Sequence, residues 1–208
     1  MTSAMRHERL AVDWASAGAA LEGEVESGDV HVVAGFDGGV LVGVIDGLGH
    51  GPEAAEAARE AARILEELAG EPLSTLVEQC HEALRKTRGA VMTLASFDER
   101  ASMMTWMGVG NVEAILLRSG RAEPPAREGV ALRGGVVGYH LPTLRESSLP
   151  VSYGDTLVLA TDGIRSGFVA GLPGQGTPQE IADAVLARYA RGSDDALVVV
   201  ARYLGGTP

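Results

Sequence analysis

The run VLVGVIDGLGHG, residues 40–51, constrains this chain more than any other stretch. Six apolar or glycine residues, Val40–Ile45, lead into Asp46, and Gly47, Gly49 and Gly51 follow at alternate positions. A short apolar run bounded by turn residues is the pattern of a buried strand. The strand therefore ends by presenting one carboxylate at a glycine-built turn. A charge removed from water is costly unless something pairs with it. An aspartate in this position has a cation to answer.

The same pattern recurs. LVLATDG ends at Asp162–Gly163, SDDALVVV opens a strand with Asp194–Asp195, and Ser27–Gly28–Asp29 stands ahead of Val30. Taken singly, each reads equally well as turn chemistry, since Asp–Gly pairs are common in turns. Their repetition beside strongly apolar runs points to a carboxylate cage. Hard oxygen donors of this kind suit Mg²⁺ or Mn²⁺. Two such ions about 3.5–4 Å apart share a bridging water, lower its pKa and aim it at phosphorus. No histidine pair has zinc-ligand spacing. Nor is the glycine pattern a dinucleotide fingerprint: Gly47 and Gly49 fit one, but Pro52 takes the third glycine's place and Gly51 comes one residue early.

With 208 residues, the chain has room for one good-sized core, and one domain over 1–208 is expected. No apolar run is long enough to span a membrane, and MTSAMRHERLAVDWASA lacks a signal-peptide core, so a cytoplasmic protein is expected. The net charge of −11 argues against nucleic acid and anionic membranes as partners. The single cysteine, Cys80, leaves no disulfide or thiolate cluster and reads as a small core residue.

Strands are expected at residues 9–17, 30–35, 40–45, 91–97, 103–109, 112–118, 156–160 and 197–203. Asp37–Gly38 marks a tight hairpin between the second and third. Pro52 suits the first turn of an alanine-rich helix over 53–69, with Gly70 as its stop. Further helices are expected over 74–86, capped by Ser74, and over 178–191. Residues 122–150 are irregular, with short strands that the pattern does not place. Hairpin-linked strands with helices in blocks favour α+β: two antiparallel sheets face to face, helices outside, as a four-layer sandwich.

In order, SGD, DGLGHG before an alanine-rich helix, TDGI and a DD pair before a final strand resemble the metal-dependent phosphatases of the type 2C superfamily. The closer likeness is to their bacterial sporulation and stress-response branch, and it covers roughly Asp29 to Tyr203. MGVGNVEAILLR (107–118) and VVGYHLP (136–142) further resemble the small stand-alone phosphatases that act on the stressosome. The resemblance implies hydrolysis of phosphoserine or phosphothreonine by a metal-activated water, without a covalent intermediate. It implies two Mn²⁺ or Mg²⁺ ions. Asp46 is then the catalytic carboxylate that bridges the metals, and the Gly47 carbonyl binds one of them. Asp162 and Asp194 hold the second, and Asp29 supports the cage directly or through water. Asp195 stands behind the ligands. His50 either orients water or phosphate or simply completes the turn. The resemblance also implies a partner, a phosphorylated signalling protein of the stressosome's anti-sigma-antagonist type. Two departures stand out: DDAL lacks the hydroxyl residue that many relatives carry after the pair, and no arginine near Asp29 matches the phosphate-gripping arginine of eukaryotic relatives.

Other residues read as structural. Met103, Met104, Trp106 and Met107 are expected in the core, Asn111 in a turn, and His81 facing solvent. Ser166 has no His–Asp partners. Residues 122–150 and Phe168–Thr177 are surface loops that double as candidate partner-recognition surfaces. Two alternatives to a protein phosphatase remain: a catalytically weak binding module of the same fold that sequesters a signalling partner, and a phosphatase of small metabolites.

Overall fold

A computed structural model describes residues 10–120, 126–172 and 176–205. The strands are β1 (Val12–Ala19), β2 (Asp29–Phe36), β3 (Gly39–Gly47), β4 (Ala90–Asp98), β5 (Met103–Val109), β6 (Glu113–Leu117), β7 (Arg127–Gly129), β8 (Leu132–Arg133), β9 (Ser147–Pro150), β10 (Thr156–Ala160) and β11 (Ala196–Tyr203). The helices are α1 (Pro52–Glu67), α2 (Leu73–Leu84) and α3 (Pro178–Tyr189). One sheet runs β1-β11-β10-β6-β7 and the other β2-β3-β4-β5-β8, with β9 pairing β5.

Three apolar layers hold these sheets as the expected four-layer α+β sandwich. Strand side chains alternate between faces, so each central strand feeds two layers. On β3, Val40, Val42 and Val44 enter the core between the sheets, where they meet Leu157, Leu159, Val199 and Ala201 of the facing sheet. Leu41 and Ile45 point the other way, onto Ala58, Ala61 and Leu65 of α1 and Leu76 of α2. On the opposite outer face Val158, Val198 and Val200 pack against Ile181, Ala182 and Val185 of α3. The central strands are buried on both faces, which is why they read as continuous apolar runs rather than alternating ones.

The hairpin forms as expected, with Asp29 opposite Asp46 and Phe36 opposite Gly39. Gly47 is a close approach: a Cβ there would lie 2.1 Å from the Ala54 carbonyl oxygen, so only glycine lets the first turn of α1 rest on the end of β3. The small faces of Ala54, Ala57, Ala58 and Ala61 continue that approach. Gly49 and Gly51 turn the chain with φ of 89° and 76°, in the left-handed region that side chains disfavour.

The structure departs from the sequence reading in several places. Helix α1 ends at Glu67, short of Gly70. Helix α2 begins at Leu73 after an extended Pro72, and Ser74 does not cap it. Instead Glu146, far along the chain, accepts the Ser74 N–H at 2.7 Å. The sheets are not wholly antiparallel, since β8 joins β5 in parallel. Phe168 is not a surface-loop residue: Ser166–Gly171 is a 3-10 turn that buries it against α3. His81 is half-buried, and its Nδ1 accepts the Gly138 N–H at 2.9 Å. The core assignments of Met104, Trp106, Met107 and Cys80 hold. Burial pushes the Cys80 thiol up to about 12, so it is inert near neutrality. No helix among the described residues is long and apolar enough to cross a membrane.

Candidate active site

Four chain segments meet at the ends of β2, β3, β10 and β11. The Asp29–Asp46 pairing brings the first two carboxylates side by side on neighbouring strands. Asp162 follows β10 after Thr161, and Asp194–Asp195 precede β11. The junctions are too tight for side chains. A Cβ on Gly28 would lie 2.9 Å from the Ala54 Cβ and 3.2 Å from Asp195 Oδ2, and one on Gly163 would lie 1.9 Å from the Asp195 carbonyl oxygen. The glycines of SGD, DGLG and TDG are therefore packing contacts that draw the four acidic motifs together.

Asp46, Asp162 and Asp194 line one cleft of about 240 Å³, with Leu48, Gly49, His50, Val91, Asn111 and Ser193. Asp29 joins this group through Asp46, and its Oδ2 accepts the Thr161 hydroxyl at 2.8 Å. Thr161 is itself fixed, because its oxygen accepts the Leu197 N–H at 2.9 Å. Gly47 is buried beside Gly28, whose carbonyl accepts the Gly47 N–H at 3.0 Å. His50 stands exposed at the rim with Nδ1 2.7 Å from Glu24 Oε1.

Asp195 is placed differently from the other carboxylates. It is only 3% exposed. Its two oxygens accept the N–H groups of Leu21 at 2.8 Å and Gly28 at 2.7 Å. It thus fastens the segment that carries Glu24 and leads into Asp29.

Burial is the main influence on the two central carboxylates. It pushes Asp29 up to about 7, against the opposing pull of the Thr161 hydroxyl, with the charges of Asp195, Asp162 and Asp194 adding to the rise. It pushes Asp46 up to about 8, reinforced by Asp29, Asp162, Asp194 and Asp195. Groups whose charged forms are this unfavourable are the ones a cation would relieve.

The donor set fits a hard divalent ion in chemistry, being made of carboxylates with a backbone carbonyl nearby. As they stand, no three Asp, Glu, His or Cys side chains among the described residues close around a single ion.

Three participants escaped the sequence reading. Asn111 does more than serve its turn: its Nδ2 donates to Asp162 Oδ2 at 2.8 Å, across 51 residues of chain. Glu24, which belongs to none of the acidic motifs, holds His50. Thr161 carried the one available signal, as the hydroxyl residue directly before Asp162 in TDG.

Comparison with known proteins agrees with this geometry. Residues 37–204 match the family model of Stage II sporulation protein E (SpoIIE). The phosphoserine phosphatase RsbX of Bacillus subtilis (strain 168) is 30% identical over 95 residues, which cover 46% of this chain and 48% of RsbX. That match spans about half the length of the curated relative. A chain from a structure of the bacterial stressosome, a modular system adapted to control secondary messenger signalling, superposes with a TM-score of 0.84 and 32% identity, over 92% of this chain and 99% of that one. The crystal structure of RsbX in complex with magnesium shares the fold, with a TM-score of 0.81 at 21% identity, over 92% of this chain and 94% of that one. With the family model spanning most of its length, the chain belongs to the SpoIIE family.

Proposed function

We propose that this chain is a divalent-metal-dependent protein phosphatase. In this reading residues 1–208 act as one domain that hydrolyses phosphoserine or phosphothreonine on bacterial signalling proteins. The observation that carries the reading is the cleft that gathers Asp46, Asp162 and Asp194 from separate motifs, with Asp29 paired to Asp46.

Asp46 would bridge two Mn²⁺ or Mg²⁺ ions and the Gly47 carbonyl would serve one of them. Asp162 and Asp194 would hold the second, with Asp29 supporting the cage. When bound, such ions supply an acidified water as nucleophile and a Lewis acid for the phosphoryl oxygens. The protein's own part is orientation. Thr161 sets the Asp29 carboxylate, Asn111 sets Asp162, and Asp195 fixes the loop that carries Glu24. Glu24 in turn holds His50 at the rim, where it can orient water or meet the phosphate. Partners of this kind typically contribute ten- to a hundredfold in metal affinity or activity.

The relatives bear on the substrate. RsbX is a phosphoserine phosphatase, and the stressosome chain superposes over nearly its whole length. Phosphorylated stressosome proteins of the anti-sigma-antagonist type are the substrates we favour. The chain's charge of −11 makes nucleic acid a poor partner. A cytoplasmic setting completes the proposal, in keeping with a lone buried thiol and no disulfide.

The test is phosphate release from a phosphoserine-bearing protein of this type by metal-stripped enzyme, titrated with MnCl₂ or MgCl₂. Saturable, metal-dependent release is expected, and faster release than from small phosphorylated metabolites. The alternative is a catalytically weak binding module of the same fold that sequesters a signalling partner. Tight binding of the phosphoprotein without release at any metal concentration would select that reading.

A further inference from the structure

The cleft has acidic walls, and among the described residues neither lysine nor arginine lines it. A cationic partner for an entering phosphoryl dianion is absent from the lining itself, and the sequence around Asp29 offers none. We propose that Arg88 is that partner, a phosphate-binding residue supplied from the α2–β4 connection. This inference rests on the phosphatase reading and names a further binding residue within it.

The placement of Arg88 is specific. Its Nε and Nη2 both engage one oxygen of Glu53, on the first turn of α1, at 2.5 Å. That contact leaves Nη1 without a protein acceptor among the described residues. Nη1 lies over Gly49, a cleft-lining residue, 2.7 Å from where a Cβ would stand. A side chain at 49 would collide with the guanidinium, so glycine lets Arg88 rest against a cleft-lining residue.

The connection is held firmly against the turn. Thr87 donates its hydroxyl to the Leu84 carbonyl at 2.8 Å, and its oxygen accepts the Gly89 N–H at 3.0 Å. The Gly89 carbonyl accepts the Leu48 N–H at 3.0 Å, which ties the arginine's backbone to DGLGHG. Glu53 restrains the fork rather than consuming it, and the Arg88 side chain remains half exposed. A guanidinium with a free N–H edge, fixed beside an acidic cleft, suits a tetrahedral oxyanion through charge-assisted hydrogen bonds.

The experiment is calorimetric titration of inorganic phosphate into Mn²⁺-loaded wild type, Arg88→Ala and Arg88→Lys, with p-nitrophenyl phosphate kinetics alongside. Arg88→Ala should weaken phosphate about tenfold or more, the range expected for losing one charge-assisted contact. KM should rise by a similar factor, and Arg88→Lys should recover part of both. The Mn²⁺-induced rise in melting temperature should be the same in all three proteins, which a merely structural role would not give. Phosphate affinity unchanged in Arg88→Ala, in a wild type that turns over, overturns the assignment of Arg88. So does a loss of phosphate binding matched by an equal loss of Mn²⁺ binding. No Mn²⁺-dependent turnover in wild type overturns instead the phosphatase reading beneath it.

Discussion

The carboxylate of Asp195 accepts the backbone N–H of Gly28 at 2.7 Å while its other oxygen accepts that of Leu21 at 2.8 Å. One buried side chain thus closes a loop from the other end of the sequence onto the site. Removing it leaves two N–H groups without their acceptor in a mostly dry place, at a cost of about 1–3 kcal/mol each. Asp195→Ala should therefore lower unfolding free energy by roughly 3 kcal/mol in urea titration. Asp195→Asn keeps only one acceptor oxygen and should fall between. A loss below about 0.5 kcal/mol for Asp195→Ala, the size of an ordinary surface substitution, contradicts the clamp.

Asn111 makes a cleaner separation between folding and function. It is exposed, so its replacement costs little stability, yet it restrains Asp162. Asn111→Ala should weaken Mn²⁺ binding by about 10-fold or more, the usual effect of losing a ligand's supporting hydrogen bond. Calorimetric Mn²⁺ titration reads it directly. Affinity unchanged from wild type removes Asn111 from the site.

The pH dependence of the metal-free protein follows from Asp29 and Asp46, pushed up from 3.8 to about 7 and about 8. Below pH 4 both carboxyls are protonated whether folded or unfolded. Between pH 4 and 8 the unfolded chain ionises them while the folded protein holds its protons, so stability falls as pH rises. Above pH 8 the loss is complete. Within the window each titrating group costs about 1.4 kcal/mol per pH unit. Calorimetric melting of metal-free protein should show the melting temperature falling from pH 5 to pH 8. Saturating Mn²⁺ should flatten that slope, since bound metal keeps the carboxylates ionised. A metal-free protein that gains stability over this range contradicts the burial of these charges.

Much of this arrangement was legible in the sequence because it depends on local patterns. β3 is buried on both faces and reads as an unbroken apolar run ending at Asp46. Asp37–Gly38 fixes the hairpin, and the hairpin fixes Asp29 opposite Asp46. What stayed hidden depends on contacts between distant segments. Glu146 caps the start of α2, a role the sequence offers to Ser74. Asn111 looks like turn chemistry until Asp162 is brought within 2.8 Å of it. Phe168 sits in a polar, glycine-rich stretch, and only packing against α3 reveals it as core. The parallel β5–β8 pair covers just two residues on each strand, too few for periodicity to register.

The central claim is that a carboxylate cage built on Asp46 drives phosphoester hydrolysis. It is tested most directly by p-nitrophenyl phosphate turnover of metal-stripped protein titrated with MnCl₂, alongside Asp46→Asn. The substitution also removes the charge that burial and four neighbouring aspartates oppose, so the metal-free variant should be at least as stable as wild type at pH 8. The account predicts saturable Mn²⁺-dependent turnover in wild type and a loss of about a thousandfold in Asp46→Asn, in the range expected when metal-based transition-state stabilisation is removed. Turnover retained in a folded Asp46→Asn protein contradicts it.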